Sequence, residues 1–249
     1  MLRLKDIALI ESKEALKAIP EGKVLINTIN AHSYNVAQKD DAFAEALQKG
    51  DYLIPDGASI VKAYKWLRAN SQPKERVAGW DLFFFEMNAL ERESEKLTDQ
   101  SKTLKVMFLG SSEKVLALIR ERAAIDYPHL AVVTYSPPYK PEFSEGENRA
   151  MIQAINEANP DLLWIGMTAP KQEKWTYQHW KDLEIHCHVG TIGAVFDFYA
   201  GTMKRAPLWW QMHSLEWLYR LLSEPKRMWR RYVIGNPLFL WNILQEKWG

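Results

Sequence analysis

Asp56 lies between Pro55 and Gly57, where a short apolar run, Tyr52-Leu53-Ile54, gives way to a tight turn. A carboxylate held rigidly in such a turn can act as a general base, taking the proton of a hydroxyl as that hydroxyl attacks. It can also cap the helix that follows, and spacing leaves both roles open. Other polar residues stand in comparable places. Thr28, Asn30 and His32 follow or end the run at 24–29, and Ser111 and Ser112 follow the run at 105–109. Thr168, Lys171, Gln172 and Glu173 follow residues 162–165, and Thr191 follows residues 186–189. Gly110-Ser111-Ser112 offers backbone N–H groups at a helix start, which suits a phosphate or an ordinary cap. It is neither a GxGxxG fingerprint nor a Walker loop. Lys171 and Gln172, after Pro170, suit a nucleotide contact or a solvated helix start. His186 and His188 share a strand face but lack the further ligands a metal needs. There is no Asp-x-Asp pair, and nothing in the chain calls for a metal or another cofactor.

Bringing these residues to one rim requires a sheet. Apolar runs at 24–29, 52–54, 105–109, 131–134, 162–165 and 186–189 read as strands. Helical patterns at 58–67, 113–124 and 147–158 alternate with them. That alternation gives a Rossmann-like α/β fold with a mostly parallel sheet flanked by helices. In open sheets of this kind ligands bind beyond the carboxyl ends of the strands, where the polar residues above would gather. The polar stretch ERESEKLTDQS, residues 91–101, reads as an exposed connection between two halves. From Leu208 onward only helices are expected. Ser223-Glu224-Pro225 should restart a helix, and Gly235-Asn236-Pro237 should stop it and begin another. The domain reading is a core over 1–203 and a helical basic and aromatic appendage over 204–249.

The appendage is compositionally distinct. It holds six of the eleven tryptophans after residue 208, and Lys204 to Arg231 carries seven basic residues against Glu216 and Glu224. That window is +5 in a chain of net charge +1, which leaves about −4 for the remainder. Aromatic bodies beside cationic heads suit an anionic lipid surface, a diphosphate or a nucleic acid. Arg227 and Arg231 share a helix face, as do Lys226 and Arg230, and clustered arginine is well matched to phosphate oxygens. The tryptophans could equally be a core glued onto the main domain. At 47% hydrophobic and 25% charged residues the chain is globular. Cys187 is alone, which excludes an intrachain disulfide and suits a reducing compartment. Charges interrupt the first twenty residues, and no run of about eighteen apolar residues occurs, so a cytoplasmic protein with peripheral membrane contact is expected.

The segments INTINAHSYNV, IPDG, RVAGWDL, KVMFLGSS, PDLLWIGMTAPKQEKW, HVGTIGAVFDFYAG, RAPLWW, SLEWLYRLLSEPKRMWRRY and GNPLFL occur in this order from residue 26 onward. Together they resemble the WecG/TagA/CpsF glycosyltransferase family. The resemblance implies an inverting transfer of a hexose-type sugar, such as N-acetylmannosamine, its uronic acid or glucose, from a UDP-sugar. The acceptor it implies is a polyprenyl-diphosphate-linked saccharide at the cytoplasmic membrane face, in cell-surface polysaccharide or cell-wall polymer assembly. It makes Asp56 the general base, Thr28 and Asn30 substrate-positioning residues, and Gln172 a donor-site residue. Ser111 and Lys171 join the substrate-binding candidates. It also places Arg220, Arg227, Arg230 and Arg231 in a region that closes over the site to meet a diphosphate, and it allows self-association. Ala58, Thr168, Ala169 and His213 depart from the family pattern, which bears on sugar specificity.

Two other readings are distinguishable. A dinucleotide-dependent oxidoreductase on a doubly wound fold would lack its glycine fingerprint here and leaves the basic tail unexplained. A nucleic-acid or membrane-binding module leaves the polar strand ends unexplained, and near-neutral charge argues against nucleic acid as a partner.

Overall fold

The computed structural model describes residues 2–69, 71–97 and 103–248. Its strands are β1 (Val24–Ile29), β2 (Tyr52–Pro55), β3 (Lys105–Gly110), β4 (Ala131–Tyr135), β5 (Leu162–Gly166) and β6 (His188–Thr191). They form one sheet in the order β2-β1-β6-β5-β3-β4, with every pairing parallel. Parallel neighbours need crossovers, so helices cover both faces and the strands are mostly apolar. Side chains alternate between faces along each strand. Val106 and Phe108 therefore pack against Phe83 of α4 (Gly79–Lys96) and Phe196 of α8 (Gly193–Tyr199). Met107 and Leu109 turn to the other face, against Met151 and Ile155 of α6 (Glu145–Ala158). The remaining helices of this part are α1 (Ala31–Ala37), α2 (Asp41–Lys49), α3 (Ala58–Leu67), α5 (Glu113–Asp126) and α7 (Lys171–Gln178).

The fold is α/β and Rossmann-like, as expected. Three local expectations differ. First, β6 starts two residues later than the apolar run suggests and ends on Gly190 and Thr191. A side chain at 190 would collide with the Trp164 indole, so the close strand pairing there demands glycine. His188 is held by Glu86 (Nδ1 to Oε1, 3.1 Å) and by the Pro20 carbonyl (Nε2 to O, 2.9 Å), so it is a structural residue. Second, the polar stretch at 91–101 is helical through Lys96, and its residues 98–101 lie outside the described residues. Leu90 packs on the core and Glu91 Oε1 accepts from the His129 ring at 2.6 Å, which anchors this end of α4.

Third, Gly235-Asn236-Pro237 does not stop a helix. After α9 (Leu208–Met212) and α10 (Glu216–Ser223), α11 (Pro225–Trp229) runs through a π turn (Arg230–Ile234) into α12 (Gly235–Trp248). Gly235 keeps right-handed helical angles, φ −67° and ψ −36°, and its N–H reaches back five residues to the Arg230 carbonyl. The widened turn gives room to the Pro237 ring, which in a regular turn presses on the carbonyl four residues back. Asn35 donates to the Gly235 carbonyl at 2.7 Å and pins this turn to α1.

The last strand and α8 lie before residue 204, and only helices follow it. Phe239 and Ile243 of α12 are buried with Tyr34, Ile60 and Tyr64 of α1 and α3. By contrast Trp209, Leu222, Trp229, Val233, Leu240 and Trp241 are exposed. Among the described residues no helix is long and apolar enough to cross a membrane.

Candidate active site

The site begins at the register of β1 and β2. Ile29 pairs with Pro55, and the Asp56 N–H donates to the Ile29 carbonyl at 2.8 Å. The Val77 N–H donates to the Pro55 carbonyl at 3.1 Å and brings Arg76 beside the turn. The N-cap of α3 is Gly57, in extended backbone, and it accepts no side-chain cap. Asp56 therefore does not cap the helix. Among the described residues its carboxylate has no hydrogen bond or ion pair, and the residue is half-buried. Burial pushes this carboxyl up to about 6, against the pull of Arg76, Arg231 and Arg220 and with a push from Asp81. A base with that affinity is half ionised near pH 6 and mostly ionised at neutral pH, which suits proton abstraction.

A ring of guanidinium groups faces it. The appendage supplies Arg220 from α10 and Arg231 from the π turn, and the Nε atom of each is buried with no protein partner. Burial lowers the Arg231 guanidinium from its ordinary value, with the neighbouring charges of Arg220 and Arg227 adding to it. Unpaired buried guanidinium is costly unless an anion completes it. Arg227 instead pairs with Glu224 at 2.9 Å on the surface, and exposed Arg230 lies over the Trp229 ring at 5.4 Å. Of the four arginines singled out in the sequence, Arg220 and Arg231 are thus brought to Asp56, whereas Arg227 and Arg230 lie at the outside.

Two cations that sequence reasoning missed complete the ring. Arg76, inside RVAGWDL, pairs with Glu216 Oε2, and Arg205 Nε lies 3.5 Å from Glu216 Oε1. Arg76 stands 140 residues from its partner, and Arg205 is only one of the basic residues counted between Lys204 and Arg231. Only the fold reveals them.

On β1, Thr28 is half-buried in register with Ile54. Asn30 spends its Oδ1 on the N–H groups of His32 (3.0 Å) and Ser33 (3.1 Å), and so starts α1 beside Asp56. Burial and the charge of Arg231 push the His32 ring down to about 4, so it faces the ring of arginines uncharged. Gln172 is buried, with Nε2 donating to Glu173 Oε1 at 2.8 Å and Oε1 accepting the Gly193 N–H at 3.2 Å. Its amide thereby ties α7 to the start of α8. Lys171 points elsewhere, donating to the Lys140 carbonyl at 2.7 Å and lying 4.3 Å from the Phe143 ring. Ser111 adopts a left-handed backbone, φ 59°, at the end of β3, and its carbonyl accepts from Ser136 at 2.9 Å. Ser112 caps α5 through the Val115 N–H at 3.4 Å. Thr191 donates to buried Asn27 at 2.8 Å and is a packing residue.

A depression of about 330 Å³ lies at the opposite rim, between residues 6–8 and 47–53. It carries none of these groups. Among the described residues no group of three or more His, Cys, Asp or Glu side chains could hold a metal.

The family model for the glycosyl transferase WecG/TagA/CpsF family matches residues 3–249. The chain belongs to that family. Among curated relatives, the N-acetylglucosaminyldiphosphoundecaprenol N-acetyl-β-D-mannosaminyltransferase of Bacillus subtilis is 28% identical over 90% of this chain and 80% of its own length. The protein of that name from Bacillus spizizenii is 29% identical over 85% of this chain and 75% of its own. That from Staphylococcus aureus strain MW2 is 28% identical over 90% and 81%. The WecG/TagA/CpsF match spans core and appendage together. It makes this chain a glycosyltransferase, and the oxidoreductase and nucleic-acid readings fall away.

Proposed function

We propose that this chain moves an N-acetylmannosamine-type hexose from a UDP-sugar to a saccharide carried on a polyprenyl diphosphate, with inversion at the anomeric carbon. The observation that carries the proposal is the unpaired Asp56 carboxylate near Arg220 and Arg231, whose buried Nε atoms have no hydrogen-bond partner. Asp56 accepts the proton of the acceptor hydroxyl while that oxygen attacks the anomeric carbon. The bond to the UDP oxygen breaks in the same displacement, and a single displacement inverts the centre. Negative charge grows on the departing diphosphate, and arginine forks match its oxygens, which supplies the charge stabilisation without a metal ion. Asn30 and Thr28 place the sugar through the ends of β1, and Gln172 holds the α8 start against the donor side.

The acceptor class follows from the activity for which the relatives are named, N-acetylglucosaminyldiphosphoundecaprenol N-acetyl-β-D-mannosaminyltransferase. The exposed Trp229, Val233, Ile234, Leu240 and Trp241 beside Lys226 and Arg230 fit the headgroup region of an anionic bilayer, where one side of the interface is apolar. We place the protein on the cytoplasmic face of the membrane, with residues 204–249 as its foot and with self-association open to the same apolar side chains. The test is a transfer assay with a panel of UDP-sugars and a short-chain polyprenyl-diphosphate N-acetylglucosamine. Transfer from UDP-N-acetylmannosamine with inverted product supports the reading, and absence of transfer from every UDP-sugar overturns it.

A further inference from the structure

We propose that Glu216 is a positioning residue for the transfer, a tether that fixes the first turn of α10 to the core so that Arg220 stands over the crevice at Asp56. Glu216 opens α10, and Arg220 follows four residues later on the same helix face. Both carboxylate oxygens are used. Oε2 pairs with Arg76, which the Val77–Pro55 hydrogen bond holds beside Asp56, and Oε1 faces Arg205 Nε at 3.5 Å. The side chains of Arg76, Arg205 and Glu216 are each roughly one-fifth exposed, at 23%, 23% and 21%, so solvent screens these pairs weakly.

A second link runs in parallel. Arg205 lies 5.3 Å from the Trp80 ring, Trp80 meets Phe198 edge-on at 6.2 Å, and Arg220 lies 5.6 Å from the Phe198 ring. Two arginines thus flank one aromatic pair, and Glu216 joins the helix carrying the second arginine to the first. The core contributes Arg76, Trp80 and Phe198, and the appendage contributes Glu216 and Arg220. Glu216 acts through the arginines and does not meet substrate itself. The charges around Asp56 are Arg76 from the segment before α4, Asp81 from the first turn of α4, Arg205, Arg220 and Arg231, with uncharged His32 beside Arg231.

The inference rests on the reading of Arg220 and Arg231 as a diphosphate site, and its test separates the two. Inorganic pyrophosphate binding is measured calorimetrically for the full chain, its Glu216→Gln variant and its Glu216→Asp variant. Released from the tether, Arg220 should leave the crevice, so Glu216→Gln binds about tenfold more weakly, the scale of one lost network coupling. The acid limb of kcat/KM should move to higher pH, because Asp56 loses cations, and Glu216→Asp should restore most of both. Glu216 as a mere neutraliser of Arg76 and Arg205 predicts the opposite, tighter pyrophosphate binding and a limb at lower pH. Equal or tighter binding, or an unmoved or lowered limb, overturns the tether. If Glu216→Gln does not fold, Glu216→Ala is measured in its place, and equal or tighter binding or an unmoved or lowered limb there overturns the tether. Failure of the wild-type chain to bind pyrophosphate removes the diphosphate site itself, and the tether with it.

Discussion

Tyr34 near the start of the chain donates its hydroxyl to Glu246, near the end, at 2.7 Å inside a buried cluster. The same carboxylate accepts the Lys5 N–H at 2.8 Å, so α12 closes the core against both α1 and the N-terminal segment. The Phe239 ring meets Tyr34 edge-on at 5.5 Å. A buried phenol and carboxylate that satisfy one another are costly to separate, since each would be left desolvated and alone.

Removing residues 204–249 takes Phe239, Ile243 and Glu246 away from this cluster, so the remainder should unfold or aggregate. The single substitution Phe239→Ala should cost about 3 kcal/mol, the usual scale for a large ring lost from a packed interior. Urea denaturation followed by fluorescence measures both. A truncated chain with a cooperative transition near that of the full chain contradicts this.

Asp56→Asn should leave the fold intact, because the carboxylate supports no hydrogen bond in the described structure. Transfer should fall by roughly two orders of magnitude or more, the contribution of a positioned general base. In the wild-type chain, kcat/KM should rise with pH through a limb near 6, since only the ionised carboxylate accepts a proton. Retained turnover in the Asn variant would remove Asp56 from the mechanism.

Glu173 presents a different titration. It is 1% exposed, its Oε2 atom has no partner, and burial pushes it up to about 7. A carboxyl whose folded value lies above its ordinary 4.5 is favoured protonated in the folded state. Its favourable contribution is complete below about 4.5 and is lost as pH rises toward 7. Glu173→Gln, neutral at every pH, should raise the melting temperature at pH 8 and change it little at pH 5. At pH 8 the gain is at most about 3 kcal/mol, the free energy of keeping this carboxyl ionised where burial favours the protonated form. Equal melting shifts at both values would show that Glu173 is ionised and stabilised by groups other than Gln172.

How much of this was legible beforehand depends on the range of each interaction. Strands such as Lys105–Gly110 announce themselves through an apolar run followed by Gly110, and the strand-end rule then put Asp56, Thr28 and Asn30 on one rim. These are local signals. The capping role left open for Asp56 was decided by backbone geometry at Gly57, which no spacing encodes. Arg76 and Arg205 went unseen because their meaning lies in Glu216, a partner that only the tertiary fold brings to them. Gly235-Asn236-Pro237 misled for a related reason, since a π turn and the Asn35 side chain together keep the helix going where local propensity would end it.

The exposed apolar side chains of the appendage lead to the last expectation. Val233 and Ile234 are 58% and 52% exposed on the π turn, one helical turn from Trp229, with Arg230 between them. Apolar side chains this exposed on a basic helix favour the bilayer interface, and one acidic replacement there opposes both the apolar and the electrostatic attraction. Val233→Asp with Ile234→Asp should therefore weaken binding to vesicles containing anionic lipid by about tenfold or more, since each cation near such a surface is worth about 1 kcal/mol and each acid opposes it comparably. Neither side chain joins the buried core, so melting should be little changed. Transfer to a water-soluble short-chain acceptor should persist while transfer to an acceptor embedded in vesicles falls. Co-sedimentation with vesicles and paired assays read both quantities. Undiminished vesicle binding in the double variant would move the membrane-facing surface away from the π turn.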